Sequence, residues 1–170
     1  EVTAIDTNKD HINAINVNGL RVSGASGDRI ANIQAFTKAP PITPELIIIA
    51  VKGTQVESVI DQALAITDEN SLILTIQNGL GSSDIIAKRF DPDRIIVGVA
   101  QGFGASLPEP GHAHHNDMKA IRMGPYGNLN SNRVTMVTRL YAEAGFDAEV
   151  VADIKAMQWD KLICNCAYSA

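Results

Sequence analysis

The order of apolar and polar residues along this chain predicts strands and helices in alternation. The opening stretch, EVTAID, is extended and apolar and ends at Asp6. Residues 8–20 then carry apolar side chains at helical spacing. Residues 21–24 and 29–37 alternate apolar with polar positions, which predicts a short antiparallel excursion.

A strand, a helix and a second strand follow. The run from Leu46 to Val51 is apolar on both faces, as expected of a central parallel strand. Residues 71–79 predict another buried strand that ends in a polar turn. Between them, residues 54–66 have the spacing of an amphipathic helix, with four apolar side chains expected to face inward: Val56, Val59, Ile60 and Leu64.

The rest of the chain continues this alternation. The predicted elements are a helix in 83–90, a strand in 93–102, a hairpin of two strands in 105–127, a helix in 130–145, a strand in 146–151 and a closing helix that begins near Asp153. We therefore expect an α/β fold with a doubly wound, mostly parallel sheet.

Composition narrows the possible functions. The 170 residues are 45% apolar and carry a net charge of −5, so the chain can form a core but offers no basic surface for nucleic acid. Cys164 and Cys166 are too close in sequence for a disulfide that would stabilise the fold, and free thiols in a reducing cytosol are the simplest interpretation. No stretch reaches about eighteen uninterrupted apolar residues, and the chain does not open on a basic leader or an apolar signal core. We expect a soluble cytoplasmic protein with no membrane partner.

Polar side chains stand where several predicted strands end, which is where a doubly wound sheet binds its ligands. Asp6 could accept the hydroxyl groups of an adenosine ribose, and Lys52 could meet a cofactor phosphate or ribose. Asn78 follows a buried strand, and Gly79 and Gly81 permit a tight turn beside it. Each of these residues also fits an ordinary strand end or turn.

No G-x-G-x-x-G motif stands between a strand and a helix. The stretch GFGASL, residues 102–107, lacks the last glycine and precedes a hairpin, so we interpret it as a chance likeness. If the chain binds a dinucleotide, the phosphate loop is expected to precede Glu1. His112 and His114 share one face of a predicted strand beside His115, but no accompanying ligand set at a known spacing predicts a metal site.

The closing segment, MQWDKLICNCAYSA, places Lys161, Asn165 and Ser169 four residues apart. On a helix these side chains form one polar stripe. The stripe is either a solvated face or the wall of a cleft.

Taken together, these stretches resemble the ketopantoate reductases. IIIAVKGTQV, ILTIQNGLG, the strand of Gly98, the PG…MGPYG hairpin and WDKLICNCA occur in the order found in that family. The resemblance implies a Rossmann-like dinucleotide-binding domain in residues 1–152, without its first strand and glycine-rich loop. It also implies that residues 153–170 form the first helix of an all-helical C-terminal domain whose remainder is missing.

The resemblance also assigns roles to single residues. Lys161 and Asn78 correspond to catalytic residues, Asn165 and Ser169 to substrate-binding residues, and Lys52, Gln77 and Asn78 to cofactor contacts. Hydride addition to a ketone builds negative charge on oxygen, so an acid such as Lys161 lowers the barrier. We expect burial among Leu162, Ile163 and Trp159 to favour the neutral lysine, and a substrate carboxylate to favour its ammonium form.

The implied reaction is the NAD(P)H-dependent reduction of 2-dehydropantoate, a small 2-oxo acid, to pantoate in pantothenate and coenzyme A biosynthesis. The family implies NADP(H), whereas Asp6 as a cofactor contact repels a 2′-phosphate and suggests NAD(H), with Lys9 as a counterweight. Ser169 stands where the family often has asparagine, which leaves the exact substrate open. The alternatives are an NAD-dependent D-2-hydroxyacid dehydrogenase of the same superfamily and a nucleotide-binding domain without catalysis. A homodimer fits either enzyme, and the fragment alone is expected to be inactive.

Overall fold

The computed structural model describes residues 1–117 and 119–168, which divide into two compact units. The strands are β1 Thr3–Ile5, β2 Leu20–Gly24, β3 Arg29–Ala31, β4 Gln34–Phe36, β5 Leu46–Ile49, β6 Leu72–Thr75, β7 Ile95–Gln101, β8 Gly104–Glu109, β9 His112–Asp117, β10 Ala120–Pro125 and β11 Asp147–Val150. The helices are α1 Lys9–Asn18, α2 Val56–Leu64, α3 Ser82–Ala87, α4 Ser131–Glu143 and α5 Ile154–Tyr168.

The first unit comprises the described residues of 1–42 and 102–119. Strands β1 and β4 form a two-stranded parallel sheet, and a four-stranded sheet has the order β3-β2-β9-β8. Helix α1 begins because the Asn8 side chain accepts hydrogen bonds from the backbone N–H groups of Asp10 and His11. Its Ile12 and Ile15 side chains are buried in a small core.

The second unit comprises the described residues of 43–101 and 120–170 and holds a five-stranded sheet of order β11-β10-β7-β6-β5. Strands β5, β6 and β7 are parallel, whereas β10 runs antiparallel to β7. Successive side chains of a strand point to opposite faces. Accordingly Ile73 packs in a cluster with α2 and α3, and Leu72 and Leu74 pack in a cluster with α4. Helices therefore cover both faces of this sheet.

Three predictions about pairing were wrong. Residues 34–36 pair with β1 in parallel and do not belong to an antiparallel excursion, which is confined to β2 and β3. Strand β5 is at the edge of its sheet among the described residues, and Ile48 is 46% exposed there. The 105–127 region holds the β8–β9 hairpin and also β10, which joins the other sheet because its apolar residues face that core.

Helix α5 begins at Ile154, as predicted, and the Asp153 carboxylate accepts a hydrogen bond from the backbone N–H of Ala156. Ile154 is buried against Val97 and Val99 of β7. The predicted domain boundary after residue 152 stays a prediction. Among the helices of residues 1–117 and 119–168, none is long and apolar enough to cross a membrane.

Candidate active site

A groove lies at the carboxyl ends of β5 and β6. It has a volume of about 330 Å³ and is lined by residues 50–53 and 76–78. Because β5 and β6 are neighbouring parallel strands, the residues that follow them meet at one edge of the sheet. The groove therefore brings together Lys52, Gln77 and Asn78, three of the residues singled out in the sequence.

Lys161 of α5 reaches the same edge of the sheet. Its ammonium donates a hydrogen bond to Asn78 Oδ1 over 2.7 Å and another to the backbone carbonyl of Ala100 in β7. Lys161 and Asn78 are 83 positions apart in the sequence, and the fold brings their side chains into direct contact. An ammonium has three N–H donors, so one is left to point elsewhere.

Burial lowers the pKa of the Lys161 ammonium below its usual value. The source of this burial differs from the expected one, because Trp159 is 49% exposed and Ile163 is 62% exposed. Lys161 is partly buried because its side chain lies against the strand ends that carry Asn78 and Ala100. A lysine with a lowered pKa releases its proton more readily than a solvated one.

The Gln77 side chain forms hydrogen bonds with other groups of the protein. Its Nε2 donates to the carbonyl oxygens of Ile49, at 2.7 Å, and Val51, at 3.0 Å. Its Oε1 accepts a hydrogen bond from the Thr75 hydroxyl. Lys52, in contrast, is exposed at the groove, directly after Val51.

The structure describes only one of the two residues predicted to bind the substrate. Asn165 is exposed one turn beyond Lys161 on α5, and Ser169 lies outside the described residues. Cys164 and Cys166 are exposed free thiols on the same helix.

Asp6 belongs to the first unit, where it directly follows β1 as predicted. Its Oδ1 accepts a hydrogen bond of 2.7 Å from the backbone N–H of Asn8. The carboxylate is exposed, and its Oδ2 has no hydrogen-bond partner among the described residues.

Two features of the site were missed in the sequence. The Ala100 carbonyl that holds Lys161 is a backbone group, so no residue type marks it. Thr75 could have been recognised in the sequence, because it is a polar residue inside an otherwise apolar strand. In the structure it is only 3% exposed.

The histidines form a hydrogen-bonded cluster in the first unit. The buried Ser23 hydroxyl contacts His112 Nε2 at 2.7 Å and His114 Nδ1 at 2.8 Å, and Ser26 contacts His115. The predicted shared face of His112 and His114 is confirmed by this common partner. Within the described part of the chain, no group of three or more histidine, cysteine, aspartate or glutamate side chains could hold a metal ion.

Comparison with known proteins identifies relatives of this chain. The family profile described as ketopantoate reductase PanE/ApbA matches residues 1–128. The 2-dehydropantoate 2-reductase of Pyrococcus horikoshii is 31% identical over 167 residues, which cover 98% of this chain and 54% of the relative. The enzyme of that name from Halobacterium salinarum is 26% identical over 171 residues, which cover 99% of this chain and 56% of the relative.

Solved structures of known proteins also match this chain. The crystal structure of 2-dehydropantoate 2-reductase from Geobacter metallireducens matches with a TM-score of 0.86 and 27% identity, covering 95% of this chain and 54% of that one. The ternary structure of D-mandelate dehydrogenase with NADH and anilino(oxo)acetate matches with a TM-score of 0.88 and 21% identity, covering 97% of this chain and 54% of that one, and shows likeness of fold alone. These matches confirm the predicted Rossmann-like α/β class. The chain spans about half the length of the relatives it matches. With three quarters of its residues matched by the family profile, the chain belongs to the ketopantoate reductase family.

Proposed function

We propose that this chain carries catalytic residues of a 2-dehydropantoate 2-reductase, which reduces the ketone of ketopantoate to the hydroxyl group of pantoate. The observation that carries the proposal is the contact of 2.7 Å between Lys161 Nζ and Asn78 Oδ1 at the edge of the sheet. A non-catalytic nucleotide-binding domain needs groups that hold the nucleotide, but it does not need a partly buried lysine held by two acceptors. The contact therefore favours an enzyme.

Lys161 acts in this proposal as the general acid. Reduced nicotinamide supplies a hydride to the carbonyl carbon when it is bound. The oxygen gains negative charge as the C=O double bond becomes a single bond, and it takes a proton from Lys161 Nζ. Asn78 Oδ1 and the Ala100 carbonyl hold two of the three N–H groups, so the third is aimed and available for the substrate oxygen. The pKa of Lys161, lowered by burial, makes this transfer easier.

The groove at β5 and β6 fits one part of a nicotinamide nucleotide. Its volume of about 330 Å³ lies at the lower end of the range for small-molecule sites. Gly79 and Gly81 have positive φ angles of 84° and 95°, and a Cβ added at either would meet no atom within 4 Å, so the turn beside Asn78 is open. Lys52, which lines this groove, supplies a cation for a phosphate or ribose.

The remaining parts of the proposal extend beyond this groove. Asn165 and Ser169 are proposed to bind the 2-oxo acid, with residues 153–170 as the first helix of a substrate domain. We also propose a cytoplasmic enzyme of pantothenate biosynthesis that uses NADPH or NADH. A homodimer stays a prediction.

Steady-state kinetics of the full-length protein test the proposal. We expect turnover of ketopantoate with NADPH or NADH, at a catalytic efficiency at least tenfold above that for phenylglyoxylate. Failure to turn over ketopantoate, with the protein folded and nucleotide bound, would contradict it.

One observation favours a second function, that of an NAD-dependent D-2-hydroxyacid dehydrogenase. The exposed Asp6 carboxylate at the end of β1 repels a 2′-phosphate and so favours NAD(H) over NADP(H). The same kinetics distinguish the two functions, since this enzyme would prefer phenylglyoxylate and NADH.

A further inference from the structure

The hydrogen bonds of Gln77 determine which way its amide group faces. The oxygens of Ile49 and Val51 are backbone carbonyls, which accept hydrogen bonds and cannot donate them. The NH₂ group of Gln77 must therefore face these two oxygens, and its Oε1 faces the Thr75 hydroxyl. Thr75 in turn must donate, because Oε1 is only an acceptor.

This arrangement uses both N–H donors of the Gln77 side chain. If Gln77 donated a hydrogen bond to a nucleotide, the nucleotide would have to replace one of the two carbonyl oxygens and leave it without its present donor. Both N–H donors of Gln77 thus serve the protein itself, and the cofactor contact implied by the family resemblance stays a prediction.

The bridge joins two turns that carry proposed site residues. The parallel ladder between β5 and β6 extends to the pair of Ile49 and Thr75. Beyond that pair, the Gln77 side chain links the turn after β6 to the turn after β5. Val51 directly precedes Lys52, and Gln77 directly precedes Asn78. The position of Asn78 relative to Lys52 therefore depends on this bridge.

We propose that Gln77 is a positioning residue of the active site and that Thr75 holds its amide in the required orientation. Thr75 is buried, with 3% of its surface exposed, so it acts through Gln77 and not on a ligand. The bridge holds Asn78 where its Oδ1 meets the Lys161 ammonium at 2.7 Å. This inference rests on the proposed function, since it assigns Asn78 and Lys161 to catalysis.

Three variants of the full-length enzyme test it. Gln77→Met keeps the length of the side chain and removes its hydrogen bonds. Thr75→Val keeps the shape of threonine and removes the hydroxyl. Thr75→Ser restores the hydroxyl and serves as the matched control. Measurements are kcat, the KM for the nucleotide, and the pH dependence of kcat/KM with the 2-oxo acid that the unaltered enzyme turns over best.

For a positioning role, Gln77→Met and Thr75→Val both lower kcat, by about 10- to 100-fold for Gln77→Met, and change the nucleotide KM by a smaller factor than kcat. Displacement of Asn78 removes an acceptor from the charged form of Lys161, so the alkaline limb of the profile moves to lower pH. A double variant that combines Gln77→Met with Thr75→Val is no worse than Gln77→Met alone, because the two residues act as one unit. Thr75→Ser retains at least half of the activity.

A direct cofactor role gives a different result and would overturn the inference. Gln77→Met would then raise the nucleotide KM about tenfold with kcat unchanged, and Thr75→Val would have no effect. Equal activity of all variants would overturn it as well. If Gln77→Met fails to fold, the contrast between Thr75→Val and Thr75→Ser still decides. Failure of the proposed function is seen separately, as absence of ketopantoate turnover in the unaltered enzyme.

Discussion

Replacing Asn78 by aspartate changes the charge beside Lys161 and almost nothing else. Asn78 Oδ1 accepts a hydrogen bond from the ammonium at 2.7 Å, and an aspartate places a carboxylate oxygen at the same position. The negative charge favours the ammonium form, so the pKa of Lys161 rises. Burial lowers the same pKa in the unaltered enzyme, which makes the expected change opposite in sign to the existing one.

The size of the change follows from the separation of the charges. Two unit charges about 4 Å apart attract by about 4 kcal/mol at an effective dielectric constant of 20. Asn78 is exposed, so solvent screening reduces this value, and a rise of about 1–3 pKa units is the expected range for a neighbouring opposite charge. Ketone reduction needs protonated Lys161, so kcat/KM falls as pH rises through the pKa. The alkaline limb of Asn78→Asp should therefore lie at least about one pH unit higher.

The assay is the initial rate of nicotinamide oxidation at limiting 2-oxo acid, measured from neutral to strongly alkaline pH. Asn78→Ala is the matched control, because it removes an acceptor from the ammonium form and shifts the limb to lower pH. At neutral pH, Asn78→Asp should be slower than the unaltered enzyme, since a lysine with a raised pKa is a weaker acid. An alkaline limb at the same pH in all three proteins would refute the assignment of that limb to Lys161.

Three further predictions concern other parts of the chain. Gly124→Ala places a Cβ 2.6 Å from Ile154 Cβ, so α5 must shift. We expect the free energy of unfolding to fall by about 1–3 kcal/mol in denaturant titrations and kcat to fall by up to about 100-fold. An unchanged kcat would show that the position of α5 does not affect catalysis. Asp6→Ala should move the ratio of catalytic efficiencies towards NADPH by about 10- to 100-fold, and a ratio that stays constant would show that Asp6 does not contact the ribose. Lys52→Ala should weaken nucleotide binding about tenfold in a fluorescence titration with little effect on kcat, whereas unaltered affinity would place Lys52 outside the nucleotide site.

The main elements of the fold could be predicted because their apolar patterns are local. Strand β6 opens with three apolar residues in succession, and Leu72, Ile73 and Leu74 are each 1% exposed or less, as a strand buried on both faces requires. Pairing was harder to predict, since it depends on partners distant in the sequence. The three residues of β4 carry no pattern that distinguishes a parallel partner in β1 from an antiparallel one nearby.

The candidate site was predictable where it depends on position along a strand. Asp6 follows β1 and Asn78 follows the buried strand β6, and the general rule for doubly wound sheets places ligands at the carboxyl ends of strands. The place of Lys161 came from the family resemblance, and its hydrogen bond to the Ala100 carbonyl was beyond prediction because a backbone group has no residue type. The family resemblance assigned Gln77 to the cofactor, and this assignment stays a prediction; the residue type alone does not show that both N–H groups of its amide donate to backbone carbonyls.

The most direct test of the account is the rate of hydride transfer in the Lys161→Ala variant of the full-length enzyme. We expect a single turnover of ketopantoate to slow by about two to four orders of magnitude, with nucleotide affinity changed by less than about threefold. Added methylamine or ethylamine should restore part of the rate, because a small ammonium ion can occupy the space of the missing Nζ beside Asn78 Oδ1 and the Ala100 carbonyl. A variant that transfers hydride at nearly the unaltered rate, without added amine, would show that Lys161 is not the proton donor.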